Sequence, residues 1–390
     1  MRIAHVANFY GPASGGLRTA MHELGRGYLD RAHEYLMVVP GPDDADDHTP
    51  YGRRVTISAP VLPRSGGYRV ITRIGAVRAV LREFAPDVLE VSDRTTLRQL
   101  GRWAQSRGVP SAFFAHERAD GVIAAYTPAW LRRAAPIVAA ANAHNRVTAR
   151  HFSQVIATTP YAAGEFDRIG APVVTVPLGV DLELFHPSHA DAGVRDALAA
   201  PDETLVFMGS RLSHEKRPEL AVEAVRELLT RGRRVRLVCA GTGAVERQLR
   251  ERAGGLPVTF LGFVSGRERF SRLLATADLA LAPGPIETFG LAALEALASG
   301  TPVVVNAESA LPDIVGSGGA SAAGGAAAWA DAIEALLDSD ARVRRERARA
   351  RAEQLPWSAT VDAMLALHDR ALRETHGPVT AVRQRQRVRR

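Results

Sequence analysis

Short apolar runs alternate with helix-forming stretches along almost the whole chain. Residues 3–7, 205–208 and 235–240 are such runs, and each leads through a glycine-containing loop into a helix-forming stretch. This alternation predicts βα units with parallel strands in a buried sheet. With 390 residues, the chain is too long for one ordinary core. We therefore expect an α/β fold with two doubly wound parallel-sheet domains.

The composition favours a globular protein of a reducing compartment. Hydrophobic residues make up 46% of the chain and charged residues 23%. The single cysteine, Cys239, lies inside an apolar run, which predicts a buried thiol and excludes an intrachain disulfide. No apolar run is long enough to span a bilayer, and residues 2–7 open directly as a strand without a cleavable signal. The sequence thus favours the cytoplasm.

The formal net charge of +7 suggests an anionic partner. There is no aromatic-interleaved basic motif, zinc-ligand spacing or recognition-helix pattern, so no nucleic-acid partner is expected. An acidic stretch over residues 43–48 is predicted to be a solvated loop. A helix is predicted over residues 70–84, with an apolar stripe on one side and a basic face on the other. Residues in and just before this helix could bind an anionic membrane surface: Arg64, Tyr68, Arg69, Arg73 and Arg78. An ordinary helix with a charged outer face explains the pattern equally well.

Residues 283–298 combine a Gly/Pro-rich loop with a helix that follows a predicted strand. Phe289, Gly290 and Leu291 fall at the helix N-terminus, where backbone N–H groups and the helix dipole suit a phosphate. Glu287 precedes this helix and Glu295 lies within it, and carboxylates accept hydrogen bonds from vicinal hydroxyls. Two solvated glutamates are the simpler explanation, but the flanking residues are almost wholly apolar.

Lys216 is the only lysine in the sequence, and it lies with Arg211 between a predicted strand and helix. Arginine binds phosphate bidentately and lysine binds it as a compact charge, so both could contact one anion. A solvated basic turn would not explain why the only lysine occurs here.

Two further positions follow predicted strands in the first half of the chain. Gly15 and Gly16 belong to a strand–glycine loop–helix arrangement, in which glycine lets the backbone approach an anion. His116 follows the strand predicted over 110–115, at the end of the strand where open α/β sheets bind ligands. For the two glycines, the alternative is a simple turn. For His116, the alternative is a histidine that only forms a hydrogen bond within a turn.

The residues around Glu287 and Glu295 carry a resemblance to a known family. The pattern Pro-x-x-Glu-x-Phe-Gly-Leu, followed by Glu-Ala and then Gly-Thr-Pro-Val, resembles the paired-glutamate motif of retaining GT-B glycosyltransferases of the family 4 type (glycosyl transferases group 1). This resemblance covers the chain from Met1 to about Leu372. It implies two Rossmann-like domains facing a cleft, over residues 1–178 and 179–357. A helix over 358–374 would cross back to the first domain, before a disordered basic tail over 375–390.

The resemblance also implies a role for each candidate residue. Arg211 and Lys216 would hold the donor diphosphate without a metal, aided by the backbone of residues 289–291. Glu287 would bind sugar hydroxyls and Glu295 the ribose, while His116 would orient the transferred sugar. The remaining positions are implied to contact the donor through their backbone: Gly15, Gly16, Val264 and Ser265. Gly266 departs from the family, where a polar residue is common, so the donor base is left open.

A narrower resemblance concerns the substrates. The phrases over residues 6–12, 90–94 and 282–285 are similar to those of actinobacterial GDP-mannose-dependent mannosyltransferases that act on phosphatidylinositol mannosides. This implies GDP-mannose as donor with no further cofactor, and a glycolipid acceptor, the dimannoside mannosylated in α-1,6 linkage, at the inner face of the cell membrane. Divalent-ion dependence is left open. The alternatives are a different nucleotide sugar or a soluble acceptor, and a non-catalytic nucleotide- or lipid-binding protein of the same fold.

Overall fold

The chain forms two compact units. The computed structural model describes residues 1–11, 15–62, 67–127, 131 and 136–376. One unit contains Met1–Pro177 and the final segment from Trp357, and the other contains Leu178–Pro356. This division falls one residue before the boundary expected from sequence.

The first unit is built on an eight-stranded sheet in the order β3-β4-β2-β1-β5-β6-β7-β8. The strands are β1 (Arg2–Ala7), β2 (Glu34–Gly41), β3 (Ala45–Thr49), β4 (Gly52–Ser58), β5 (Val88–Ser92), β6 (Ser111–Ala115), β7 (Gln154–Ala157) and β8 (Val174–Thr175). All neighbours pair in parallel except β3 and β4. The central strands are buried along nearly their whole length, as expected for a sheet covered by helices on both faces.

Within the described residues, seven α-helices belong to this unit, and the last one comes from the final segment of the chain. They are α1 (Gly16–Asp30), α2 (Ile74–Phe84), α3 (Gln99–Gln105), α4 (Ala119–Tyr126), α5 (Ile137–His151), α6 (Pro160–Asp167) and α15 (Trp357–His376). Helix α15 packs closely on α1, because a Cβ at Gly27 would lie 2.4 Å from the Val361 side chain. It starts one residue earlier than expected and includes Thr375 and His376. The remainder of the predicted tail, residues 377–390, lies outside the described residues.

The second unit has a six-stranded, fully parallel sheet in the order β11-β10-β9-β12-β13-β14. Its strands are β9 (Thr204–Gly209), β10 (Val235–Ala240), β11 (Val258–Gly262), β12 (Leu279–Ala282), β13 (Val303–Asn306) and β14 (Gly319–Ala322). Its helices are α7 (Ala192–Leu198), α8 (Pro218–Thr230), α9 (Glu246–Arg252), α10 (Arg267–Thr276), α11 (Leu291–Ala298), α12 (Leu311–Val315), α13 (Ala326–Leu337) and α14 (Ala341–Glu353). Cys239 on β10 is fully buried, and burial raises the pKa of its thiol to about 12.

Arginines of α14 bind backbone carbonyls at the ends of other helices. Arg345 donates to Ala275 and Ala277 at the end of α10, at 2.6 and 3.0 Å. Arg349 donates to Ala298, the last residue of α11, at 2.7 Å. The last carbonyls of a helix have no partner within it, so these guanidinium groups satisfy and neutralise the helix C-termini. This basic helix is therefore part of the packing of its unit.

Two sequence-based expectations about the first unit are wrong. The acidic stretch 43–48 is not a loop throughout, because Ala45–Thr49 forms an antiparallel edge strand. Its acidic side chains pair with arginines of β4, Asp46 with Arg53 at 2.7 Å and Asp47 with Arg54 at 2.9 Å. The helix predicted over 70–84 begins only at Ile74.

The late start of α2 has a local cause. The preceding residues pair with an earlier part of the chain: Leu62 N–H donates to Tyr68 O at 2.8 Å, and Val70 N–H donates to Pro60 O at 3.2 Å. Ile71 N–H then donates to the Asn8 side chain at 2.8 Å. These contacts hold the chain extended up to the first turn of α2. Within the described residues, no helix combines the length and apolar character needed to cross a membrane.

Candidate active site

A pocket in the second unit brings together several predicted site residues. It lies at the carboxyl ends of β9 and β12, and its polar and glycine lining comes from Gly209, Ser210, Lys216, Gly284, Glu287 and Gly290. Lys216 Nζ forms a short ion pair with Glu287 Oε1, and each side chain is about one quarter exposed, at 22% and 24%. The structure therefore places the only lysine directly against the first predicted glutamate.

The N-terminus of α11 borders the same pocket. Gly290 precedes the first helical residue and has a φ of 80°, in the left-handed region that favours glycine. A Cβ at this position would also lie 2.2 Å from the Leu311 side chain. The glycine thus permits both the backbone turn and the close approach of α12. Phe289 buries its side chain, which leaves its backbone as the part that could contact a ligand.

Arg211 and Glu295 have charged partners of their own. The half-exposed Arg211 guanidinium lies 3.7 Å from Glu215 Oε1, and Arg211 is not among the residues that line the pocket around Lys216. Glu295 is mostly buried and lies 3.3 Å from Arg267 Nη2. Sequence reasoning missed Arg267 and Glu215, and alternating charge near the motif residues is the signal that could have indicated them.

The loop after β11 contains the positions predicted to contact the donor base. Val264 is half-buried and Ser265 is exposed. Gly266, which departs from the family pattern, precedes α10 with a φ of 85° and has open space around its Cβ position. Backbone conformation therefore explains why glycine is favoured here.

In the first unit, His116 follows β6 and is held from two sides. Its Nε2 lies 2.8 Å from Ser92 Oγ, and its ring stacks on Phe114 with an interplanar angle of 5°. Burial, followed in importance by the nearby His5 and Arg94, lowers the pKa of His116 to about 3. The imidazole is therefore neutral at physiological pH. Sequence reasoning identified His116 but gave no role to Ser92.

The chain that follows His116 is anchored by a buried ion pair. Glu165 is fully buried and accepts from Ala119 N–H at 2.7 Å and from Arg94 Nη2 at 3.2 Å. Arg94 also donates to the carbonyl of Glu117. Because a buried carboxylate needs such partners, these contacts fix the loop between β6 and α4.

The predicted glycine loop is only partly described. Gly15 precedes α1 and Gly16 begins it, while residues 12–14 lie outside the described residues. Among the described residues, no atom lies within 4 Å of a Cβ built at Gly15, and its φ is −81°. Neither packing nor conformation therefore requires glycine at this position.

The predicted membrane-binding residues make contacts within the protein. Tyr68 packs edge-on against Phe9, with ring centroids 6.0 Å apart, and Arg69 donates to Ala59 O at 2.6 Å. Arg73 forms an ion pair with Asp44 at 2.7 Å, and Arg78 donates to Gln99 at 3.1 Å. Arg64 lies outside the described residues.

Comparison with known proteins identifies the class. Solved structures of similar fold include sucrose-phosphate synthase from Thermosynechococcus elongatus, with a TM-score of 0.76 and 22% identity over 95% of this chain and 98% of that one. The HepE protein of Anabaena, solved with UDP, has a TM-score of 0.73 and 19% identity over 94% and 98%. With its two parallel-sheet α/β units, the chain has the GT-B fold.

The family follows from the sequence comparisons. Residues 15–179 match the family described as glycosyl transferase 4-like domain, and residues 194–355 match glycosyl transferases group 1. The chain is 46% identical, over 94% of its length and 95% of the relative's, to the GDP-mannose-dependent alpha-(1-6)-phosphatidylinositol dimannoside mannosyltransferase of Mycobacterium tuberculosis. A D-inositol 3-phosphate glycosyltransferase of Nocardia farcinica is 35% identical over 52% of this chain and 48% of that protein. The chain belongs to the group 1 glycosyltransferases and is an enzyme of that family.

Proposed function

We propose that the chain is a retaining α-mannosyltransferase. It moves mannose from GDP-mannose to a phosphatidylinositol mannoside, the dimannoside in α-1,6 linkage, at the inner face of the cell membrane. Support comes from the 46% identity, over 94% of the chain, with the mycobacterial enzyme named for this reaction. The family membership of both units supports the transfer chemistry.

The observation that carries the proposal is the Lys216–Glu287 ion pair beside the N-terminus of α11. A lysine ammonium has three N–H donors, so Lys216 can keep Glu287 as a partner while it donates to a phosphate oxygen. The amides of residues 289–291 supply further donors for the diphosphate. Glu287, oriented by Lys216, accepts from hydroxyls of the transferred sugar.

Other residues bind the remaining parts of the donor. Arg211 adds a second positive charge at the diphosphate, and Glu295, held by Arg267, accepts from the ribose hydroxyls. The backbone of Val264 and Ser265 contacts the base. The neutral His116 orients the sugar, and the backbone at Gly15 and Gly16 contacts the diphosphate and the acceptor.

The reaction is a front-face substitution. The bond between the anomeric carbon and the diphosphate oxygen breaks, and the electron pair leaves with GDP. The acceptor oxygen forms its bond on the same face, which retains the configuration, and its proton passes to the departing phosphate oxygen. Arg211 and Lys216 stabilise the charge that grows on this phosphate. No step requires a carboxylate nucleophile.

A donor and acceptor matrix tests the reaction. The purified full chain is incubated with GDP-mannose or UDP-glucose, together with phosphatidylinositol dimannoside vesicles, a soluble mannoside or no acceptor. We expect an α-1,6-linked trimannoside only with GDP-mannose and the glycolipid, with the linkage assigned by NMR of the product. Transfer only from UDP-glucose would overturn the donor, and transfer only to the soluble mannoside would overturn the acceptor. Absence of turnover in every combination would favour a binding protein.

The surface formed by Tyr68, Arg69, Arg73 and Arg78 is proposed to contact anionic lipid. Each positive charge near such a surface contributes about 1 kcal/mol of attraction, which salt screens. Flotation with phosphatidylinositol-rich vesicles should therefore show binding that weakens with salt. The triple variant with Arg69, Arg73 and Arg78 changed to glutamine should bind less, while Arg226→Gln in the second unit serves as the matched control. Equal binding by both variants contradicts the proposed surface.

A further inference from the structure

A chain of buried polar groups runs through the first unit to His116. Ser92 Oγ lies 2.8 Å from His116 Nε2 and 2.7 Å from His5 Nε2. The other nitrogen of the His5 ring, Nδ1, lies 2.9 Å from Glu90 Oε2. His368 on α15 then contacts Glu90 Oε1 at 2.8 Å. The groups behind His116 are almost entirely inaccessible to solvent, with Glu90 at 0% exposure and Ser92 at 5%.

Glu90 is surrounded by groups that stabilise its charge. Tyr28 O–H donates to Oε1 at 2.7 Å, and His368 Nε2 contacts the same oxygen. Burial alone would raise the pKa of Glu90, but His5 and His368 hold it well below its usual range. Because a buried carboxylate without partners is very costly, this arrangement fixes an anion in the centre of the sheet.

The anion determines where His5 carries a proton. Glu90 Oε2 lies 2.9 Å from Nδ1 of His5 as an ion-pair contact, and an ionised carboxylate has no proton of its own to offer, so a proton on Nδ1 is favoured by its attraction to this oxygen. Tyr35 O–H also lies 3.1 Å from this nitrogen. A lone pair on Nδ1 could accept from Tyr35, but it would then face the negative Glu90 oxygen. The proton on Nδ1 avoids that repulsion.

Ser92 has a single hydroxyl proton, which couples the two histidines. If His5 is neutral, its Nε2 accepts the Ser92 proton, and Ser92 Oγ in turn accepts from Nε2–H of His116. If His5 is cationic, its Nε2–H donates to Ser92, which then donates to Nε2 of His116. In that state the proton of the neutral His116 is on Nδ1. When a proton binds Nδ1 of His116, the proton on its Nε2 can pass to Ser92, and the original hydroxyl proton of Ser92 can pass to Nε2 of His5. The added positive charge then lies on His5 beside Glu90, and His116 is neutral again.

We propose that Ser92, His5 and Glu90 are positioning residues that set which ring nitrogen of His116 carries a proton. The arrangement lets His116 exchange its donor and acceptor nitrogens while the positive charge is held on His5. His116 itself stays neutral, in agreement with its low pKa. The consequence for catalysis rests on the proposed function, in which His116 orients the transferred sugar.

The state of His5 depends on every group that faces it. The ring on β1 directly contacts Tyr35, Glu90, Ser92 and Phe114. Tyr28 and His368 contact it indirectly through Glu90, and His116 does so through Ser92. Arg94 is a further charged group that acts on His116 and helps to lower its pKa. Glu90 is the carboxylate in direct contact with the ring.

The test is a titration of ring-¹⁵N-histidine protein by two-bond ¹H–¹⁵N correlation spectra. His5→Gln and His116→Gln assign the signals of the two histidines. In the wild-type chain we expect the proton of His116 to shift from Nε2 to Nδ1 at the same pH at which His5 becomes cationic. Ser92→Ala should abolish this coupling, and Ser92→Thr, which keeps the hydroxyl, should retain it. Ser111→Ala is the matched control, because it removes a buried serine hydroxyl from the neighbouring β6.

Steady-state kinetics provide a second test of the role of Ser92. A misplaced or wrongly protonated His116 should lower kcat about tenfold in Ser92→Ala, with less than about twofold change in the donor KM. Ser111→Ala should keep wild-type values. The proposal is overturned if the wild-type tautomer of His116 does not follow His5, or if Ser92→Ala leaves it unchanged. These spectra need no substrate, so failure of the coupling is distinguished from a wrong assignment of the reaction, which only the donor and acceptor matrix would reveal.

Discussion

Lys216 and Glu287 form a direct ion pair although 71 residues separate them in the sequence. The loop after β9 carries the lysine, and the loop before α11 carries the glutamate. Because β9 and β12 are adjacent parallel strands, their following loops meet at one edge of the sheet. The ion pair therefore depends on the sheet topology, because the lysine and the glutamate lie in different loops.

Replacement of Lys216 should affect catalysis far more than stability. Lys216→Ala removes a positive charge from the proposed diphosphate site and should lower kcat about 10²- to 10³-fold. Its partly exposed ion pair should contribute less than about 1 kcal/mol to the free energy of unfolding. Steady-state kinetics and urea denaturation check both values, with Arg226→Ala on α8 as control. A small kinetic effect with a large loss of stability would contradict the proposed role.

Gly290 should tolerate substitution poorly. Gly290→Ala forces a side chain into a left-handed conformation and against Leu311, so the free energy of unfolding should fall by about 2–4 kcal/mol. Gly266→Ala is the matched control, because Gly266 has a similar φ of 85° but open space around its Cβ position. This control should cost only about 1 kcal/mol. Urea midpoints compare the two, and equal losses would show that the contact with Leu311 is unimportant.

His116 should make the stability depend on pH. Its folded pKa of about 3 lies below the value of about 6.5 in an unfolded chain, so the unfolded state binds more protons between these values. Stability should therefore be greatest above pH 6.5 and fall as the pH approaches 3, by at most about 1.4 kcal/mol per pH unit. His116→Gln should reduce this slope, measured by urea unfolding between pH 7.5 and 4. Ser111→Ala, which removes no titratable group, should keep it.

Substitutions of two arginines of α14 should lower the free energy of unfolding by different amounts, because the two side chains have different partners. Arg349 donates to the carbonyls of Leu182, Phe185 and Ala298 at 3.2, 2.9 and 2.7 Å. Arg349→Ala leaves these groups without their donor, so it should cost about 1–3 kcal/mol of unfolding free energy. Arg342→Ala removes only an exposed pair with Glu346 and should cost less than about 0.5 kcal/mol. Thermal or urea unfolding measures the difference, and indistinguishable losses would exclude a structural role for Arg349.

The fold was predictable because its signal is local. Most of the buried parallel strands are short apolar runs followed by a helix-forming stretch, so α/β units could be predicted without knowledge of contacts. Strand β2 is an exception, because β3 and β4 follow it. The edge strand β3 was missed because its residues are mostly acidic, and its pairing depends on Arg53 and Arg54 in the next strand. The start of α2 was missed because Leu62 and Val70 use their backbone groups in tertiary contacts.

The candidate site was predictable only in part. Glu287 and Lys216 lie in distinctive local sequence motifs, and the structure places their side chains in contact, whereas Arg211 does not line the same pocket. The groups behind His116 could not be predicted, because His5, Glu90 and His368 come from distant parts of the chain. Glu90 gave one local signal, a charged residue in the middle of an apolar strand, which becomes informative once its partners are known.

Because the sequence contains a single lysine, Lys216 can be labelled selectively. Lys216 carries the only side-chain amine, so reductive methylation with ¹³C-formaldehyde would modify at most this group and the α-amino group of Met1. A dimethylated ammonium keeps its positive charge and gives a sharp NMR signal. The wild-type protein can therefore carry an isotopic reporter inside its candidate pocket, where the arrival of a nucleotide is read from one resonance.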